Sequence, residues 1–249
     1  MTVQITVTSP TPIIAICNHK GGSGKTTTAW HLAHALNADD AGMHRVLLVD
    51  LDDQATLTNR LAHQAIAVGS PIETTPTIAD ALDGAVPTVY HYTPILDYIP
   101  ADHRLSWVAA KMQASSPNHL YLARVLRHVD AYDYVLLDCP PSAGIIMINA
   151  LAACTHAVIP VTPTEESWDG RQRMQNMIDE IAGVLNKEIT SLGAILTMRS
   201  PRSKNQDYYE ALNAEAGLLG AVPHAVGLDA DKRIYAAYEP IARRIAQSL

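Results

Sequence analysis

The apolar residues of this chain gather into short continuous runs rather than alternating with polar ones. The clearest are "IIAIC" (Ile13–Cys17), "RVLLVD" (Arg45–Asp50), "LDYIP" (Leu96–Pro100), "YVLLD" (Tyr134–Asp138), "HAVIPV" (His156–Val161) and "LGAILT" (Leu192–Thr197). Runs apolar on both faces suit the strands of a parallel sheet covered on both sides. Helical periodicity fills most of the gaps, at Lys25–Leu36, roughly Asn118–His128, Ala143–Ala153, Trp168–Leu185 and Tyr208–Ala216. The alternation predicts an α/β, doubly wound, mainly parallel sheet flanked by helices, with right-handed crossovers and ligands beyond the carboxyl ends of the strands. There is no internal repeat and no linker long enough to divide the chain. Residues 1–249 are therefore expected to form a single domain, with 1–12 as an N-terminal extension and 13–249 as the core. The Pro-, Ser- and Thr-rich stretch Val68–Thr77 is expected to be a surface loop.

Composition narrows the setting. With 48% hydrophobic and 17% charged residues, 249 residues can bury a sizeable core, built without any phenylalanine. Lys plus Arg total 18 against 25 for Asp plus Glu. The chain is thus not coated in positive charge, though a local basic patch is still allowed. Cys17, Cys139 and Cys154 show no C-x-x-C spacing, which suits reduced thiols in a cytoplasmic protein. The start, "MTVQITVTSPTP", has neither a basic region nor an apolar run, so no signal peptide is expected. The most apolar stretch, "AGIIMINALAACTHAVIPV", contains His156 and Pro160 and is expected to be a buried helix leading into a buried strand, not a membrane span.

The densest chemistry lies in "NHKGGSGKTTTAWHL" (Asn18–Leu32), between the first strand and the first helix. Glycines let a backbone wrap closely around phosphate oxygens, and the following helix N-terminus supplies N–H donors. Lys25 is placed to contact β- and γ-phosphates, and the Thr26 hydroxyl to ligate Mg²⁺. His19 stands where the usual G-x-x-x-x-G-K-[ST] pattern has its first glycine, and a second lysine, Lys20, precedes the loop.

"KGGSGKTT" resembles the deviant phosphate loop of the ParA/MinD family of P-loop ATPases, K-G-G-x-G-K-[ST]-[ST], which does not require that first glycine. The resemblance implies ATP and Mg²⁺ as cofactors. It makes Lys20, Gly21, Gly22, Ser23, Gly24, Lys25, Thr26 and Thr27 the nucleotide-binding residues. It also makes Lys20 a lysine that crosses a dimer interface to the partner's nucleotide, so that dimerisation depends on ATP. "VLLVDLDDQATLT" carries the two family aspartates as Asp50 and Asp52, and the resemblance gives Asp52 the role of positioning the attacking water. Asp53 stands in place of the family proline and Ala55 in place of its glycine. "YDYVLLDCPPS" matches the family's Walker B and switch II segment, with Asp138 holding the water shell of Mg²⁺, about 110 residues after the phosphate loop. In "VIPVTPTEESWDG", Thr164 aligns with a family glutamate, while Glu165 and Glu166 are displaced from it and receive no role. "LGAILTMRSPRSKN" resembles the segment near the adenine base, which makes Thr197 and Met198 further cofactor-binding candidates.

The resemblance runs from about Ile13 to Asn205. It implies a small, ParA-type partition ATPase, cytoplasmic and nucleoid-associated. Such a protein dimerises with ATP, binds DNA without sequence preference, positions a plasmid, chromosome or protein compartment, and hydrolyses ATP when stimulated by a ParB-like cargo adaptor. Candidate DNA contacts are Arg199, Arg202, Lys204, Lys232, Arg233, Arg243 and Arg244, of which Arg202 matches a family arginine. Two alternatives stay open. A MinD-like membrane-cycling ATPase would need an amphipathic C-terminal helix. Here Ile241, Ile245 and Leu249 form only a narrow stripe without an aromatic anchor, better suited to docking on the protein's own core. A metabolic P-loop ligase or kinase would need an acceptor pocket, for which no second motif is visible. His31 and His34, one turn apart, lack a third metal ligand and are expected to be surface or packing residues.

Overall fold

All six apolar runs are strands of one sheet. In a computed structural model, which describes residues 11–39, 42–67, 72–114, 119–129, 131–199, 217–225 and 230–249, they are β1 (Ile13–Ile16), β4 (Val46–Asp50), β6 (Leu96–Ile99), β7 (Tyr134–Asp138), β8 (His156–Val161) and β9 (Thr190–Arg199). Two further strands complete the sheet at its edges, β5 (Tyr90–Thr93) and β10 (Leu218–Pro223). The order is β10-β9-β8-β1-β7-β4-β6-β5, parallel throughout except for the antiparallel β5–β6 pair. A two-residue ribbon, β2 (Ala38–Asp39) with β3 (Gly42–Met43), lies outside it.

Strand side chains alternate between two cores, as the two-residue period requires. Ile14, Ile16, Val46, Leu48, Tyr98 and Leu136 face one core, which is closed by α1 (Lys25–Asn37), α2 (Thr56–Ala67) and the C-terminal helix α8 (Ala230–Ser248). Ala15, Cys17, Leu47, Val49, Leu137 and Cys139 face the other. That side is covered by α3 (Ile78–Leu82), α4 (Arg104–Ala114), α5 (Tyr121–Leu126), α6 (Ile145–Ala153) and α7 (Glu165–Leu185). Helix α1 is buried nearly all round, because the sheet covers one side and α8 the other.

The expected helices over 25–36, 118–128, 143–153 and 168–185 appear as α1, α5, α6 and α7, with shifted ends. That at Tyr208–Ala216 lies outside the described residues. Within the expected 68–77 loop, residues 72–76 are irregular and Thr77 caps α3. Ile241 and Ile245 are fully buried against the core, whereas Leu249 is exposed, so the C-terminal stripe is spent on packing. His31 stacks on Tyr238 with ring centroids 5.6 Å apart, and His34 bonds the Trp30 carbonyl at 2.8 Å. Both are packing residues, and the described residues hold no cluster of three metal-ligating side chains. No described helix is long and apolar enough to cross a membrane. All three cysteines are buried, and burial pushes their thiols up, that of Cys154 to about 12.

Candidate functional site

β1 lies between β7 and β8, and the chain leaves β1 towards the β5 edge of the sheet but leaves β8 towards the β10 edge. The loop after β1 therefore opens at the switch point where doubly wound sheets bind ligands. Asn18, fully buried, fixes its base. The Asn18 amide Nδ2 donates to the Pro160 carbonyl at 2.6 Å, and its Oδ1 accepts from the Lys20 backbone at 3.0 Å. Gly22 and Gly24 adopt left-handed φ values of 71° and 89°, which turn the backbone into a concave strip before α1. The Thr197 hydroxyl lies 2.8 Å from the Ser23 carbonyl and 3.0 Å from that of Val161, tying the loop to β8 and β9. A Cβ on Gly24 would sit 3.1 Å from Thr197 Cγ2.

Lys25 begins α1 and is only 7% exposed. Its ammonium donates to the Lys20 carbonyl at 3.2 Å. Burial lowers its pKa, opposed chiefly by the negative field of Asp138 and also by Asp52. Asp50 and Asp138 end neighbouring strands in register. Asp50 is fully engaged: it accepts from the Thr58 amide at 2.9 Å, the Thr58 hydroxyl at 2.8 Å and the Asp52 amide at 3.1 Å. Burial nonetheless pushes its carboxyl up to about 6.

Asp138 is the opposite case. Both of its carboxylate oxygens are buried without a well-formed hydrogen bond, although the Thr26 hydroxyl is near enough to lower its pKa. Burial, and then the adjacent Asp50, raise that pKa well above the ordinary value. A buried carboxylate with so few donors is costly until a cation compensates it. The Ser23 hydroxyl in the loop is buried and unpartnered as well. Orphaned acceptors beside a lysine, a threonine hydroxyl and a helix N-terminus fit a nucleotide's phosphates with a hydrated divalent cation.

Asp52 borders the same cleft, of about 280 Å³, with Thr26, Thr56 and Pro141. Its Oδ1 accepts from the Gln54 amide at 3.1 Å, so it shapes a tight turn and does not cap α2. Burial raises its pKa. Ala55, where the family glycine would stand, is left-handed at φ 51°. A second cavity, about 150 Å³, continues from Gly24 and Thr27 to Met198, His224 and Tyr238, with Thr197 in its wall. Its lining is mostly apolar, as ligand pockets generally are. The Thr197 hydroxyl is committed to the Ser23 and Val161 carbonyls.

Lys20 turns away from the phosphate cleft. Its Nζ meets Glu166 Oε2 at 2.8 Å and Thr164 Oγ1 at 3.2 Å, in the first turn of α7. Sequence reasoning missed this partner, because only the fold brings α7 beside the loop. It also passed over Asn18 and Thr58, although both lie inside the segments it read.

The basic candidates are scattered. Arg199 ends β9, exposed, and its carbonyl accepts from the His224 amide at 2.9 Å. Arg202 and Lys204 lie outside the described residues. On α8, Lys232 and Arg243 share one ridge and Arg233 and Arg244 another, each pair about three turns apart. Arg244 donates to the Leu219 carbonyl of edge strand β10 at 2.8 Å, so it has a structural task of its own.

Residues 11–191 match a family described as AAA domain. The chain is 34% identical over 202 residues to the chromosome partitioning protein ParA of Caulobacter vibrioides, covering 78% of this chain and 72% of that protein. It is 35% identical over 193 residues to the sporulation initiation inhibitor protein Soj of Bacillus subtilis, covering 77% and 74%. Its fold resembles that of cobyrinic acid a,c-diamide synthase from Mycobacterium smegmatis, solved with a bound ATP analog and magnesium. The TM-score is 0.80 at 26% identity, over 96% of this chain and 95% of the other. Identity of this extent with ParA and Soj, over most of each chain, joins with the two-lysine loop to show that the chain belongs to the ParA/MinD-type family of P-loop ATPases.

Proposed function

We propose that this chain is a ParA-type positioning ATPase that binds MgATP, closes as a dimer around two nucleotides and holds non-specific DNA in that state. The observation that carries the reading is the pair of lysines on one loop: Lys25 buried beside Asp138 and Lys20 outside the cleft on the same turn of chain. One lysine serves the subunit's own phosphates, and the other is free to serve a second subunit's once it leaves Glu166.

In this reading Lys25, the loop amides from Gly21 to Thr27 and the Ser23 hydroxyl bind the phosphates. Thr26 and Asp138 would hold Mg²⁺, Asp138 through water, and the ion when bound supplies charge neutralisation at the phosphates. Asp52 orients the attacking water. Its carboxylate is half-buried at the cleft, and burial raises its pKa. Met198 and the cavity behind it take the base. DNA contact falls to the exposed Arg199, Lys232, Arg233 and Arg243, together with Arg202 and Lys204, which lie outside the described residues, and a ParB-like cargo adaptor stimulates turnover.

A mobility-shift titration on DNA of arbitrary sequence tests this, with ATP, ADP and no nucleotide at low and moderate salt. Binding with ATP alone, fading steeply as salt rises, is expected. Lys25→Ala should abolish nucleotide binding and the shift together. The likeness to an amide synthase keeps a second reading in play, an ATP-dependent ligase. That reading is favoured if no nucleotide state binds DNA and turnover accelerates with a carboxylate or amine acceptor.

A further inference from the structure

Lys20 is engaged within its own subunit through both its side chain and its main chain. Its ammonium is held by Glu166 at 2.8 Å and Thr164 at 3.2 Å. Its carbonyl accepts the Lys25 ammonium at 3.2 Å. Thr164 is at the same time the N-cap of α7, accepting from the Ser167 amide at 3.3 Å, so the acceptor pair stands on a fixed helix end. Lys20 is 25% exposed and Glu166 75% exposed, so the pair is open to solvent and to an approaching surface.

We infer that Glu166 is a positioning residue that holds Lys20 against its own subunit, so that the phosphates of a second copy's nucleotide must compete with Glu166 for that lysine. This rests on the reading of Lys20 as the lysine that crosses between subunits. The two engagements of Lys20 suggest an order. A nucleotide arriving in the subunit's own loop draws Lys25 from the Lys20 carbonyl and loosens the main chain. The side chain stays with Glu166 until a second nucleotide offers more negative charge than one exposed carboxylate can. Glu166 thereby raises the protein concentration at which ATP-loaded subunits pair, without touching the nucleotide.

The test is the concentration dependence of dimerisation, by sedimentation velocity, with magnesium and a non-hydrolysable ATP analogue. Glu166→Gln keeps the shape of the side chain and removes its charge. It should lower the half-dimer concentration by roughly threefold per subunit, hence about tenfold for the pair, the scale of an exposed ion pair. Nucleotide affinity of the monomer should be unchanged. Glu165→Gln removes the same charge from the same helix turn, where no ion pair with Lys20 is formed, and should leave dimerisation as it is. Lys20→Gln should not dimerise, and adding Glu166→Gln to it should change nothing. If Lys20→Gln fails to dimerise while Glu166→Gln pairs no more readily than the unmodified chain, the restraint is refuted and the crossing lysine stands. If Glu165→Gln matches Glu166→Gln, the effect belongs to helix charge and the proposal fails. If Lys20→Gln dimerises normally, the crossing role falls and the restraint falls with it.

Discussion

Gly24→Ala separates two demands that the loop places on one residue. The first is backbone geometry: φ at Gly24 is 89°, a region that costs a residue with a Cβ roughly 1–2 kcal/mol. The second is space: the new Cβ would lie 3.1 Å from Thr197 Cγ2 and 3.3 Å from Thr197 Cβ, a contact at the mild end of overpacking, about 1 kcal/mol. Lower chain entropy in the unfolded state returns about 0.4–1 kcal/mol. The net loss is then about 2 kcal/mol, or roughly 4–8 °C in melting temperature for a chain of this size. Thr197→Ser divides the sum, because it deletes Cγ2 and keeps the hydroxyl that reaches the Ser23 and Val161 carbonyls. Alone it should cost about 0.8 kcal/mol for the lost buried carbon. Combined with Gly24→Ala it should relieve the closest contact, that with Cγ2, but neither the 3.3 Å approach to Thr197 Cβ nor the backbone strain, leaving a favourable coupling of roughly 0.5 kcal/mol in a double-mutant cycle. Urea unfolding of the ligand-free protein, with slopes compared across the four variants, measures this. Strict additivity would mean that Thr197 is not what Gly24 makes room for. Unchanged stability in Gly24→Ala alone would refute both halves of the account.

Other variants probe the rest of the site. Asn18→Ala strips the Pro160 carbonyl and the Lys20 amide of their partners, so it should cost about 2 kcal/mol and weaken nucleotide binding; native stability would show that the loop is anchored elsewhere. The Asp50 carboxyl sits at about 6 in the fold against an ordinary 3.8, so its contribution to stability is full below about pH 4 and lost as pH rises through 6. Asp50→Asn should therefore gain on the unmodified chain by on the order of 3 kcal/mol between pH 4 and 7, and a pH-independent difference in unfolding free energy would contradict the shift. Asp52→Ala should retain ATP-dependent dimers but lose stimulated turnover, which a phosphate-release assay reads; unchanged turnover would remove Asp52 from the chemistry.

The strands of the central sheet were legible because each is a closed run of apolar residues, a pattern that burial on both faces imposes. The edge strands were not. "YHYT" of β5 is half-exposed and mixes polar with aromatic residues, so it has neither the continuous apolar run of a buried strand nor a clean alternation. In β10, "LLGAVP" carries a glycine and a proline, which edge positions tolerate and sequence reading takes for a loop. At the site, the residues within the motifs came together as expected: Lys25, Thr26, Asp52 and Asp138 line or adjoin one cleft. What stayed hidden were contacts between elements distant in sequence, such as Asn18 with Pro160, Thr197 with Ser23 and Lys20 with Glu166. No spacing rule reaches across 140 residues or more; only the strand order β9-β8-β1 brings these groups together.

The three buried cysteines give the chain a use at the bench. Their thiols are sealed in the core and shifted away from the reactive thiolate, so the folded protein should resist alkylation at neutral pH. A cysteine introduced at an exposed position such as Val184, which is 69% exposed on α7, would then carry a fluorophore alone and needs no prior removal of native thiols. The same three sulfurs turn reactive when the core opens, so the rate at which a thiol reagent consumes them follows unfolding without any label at all.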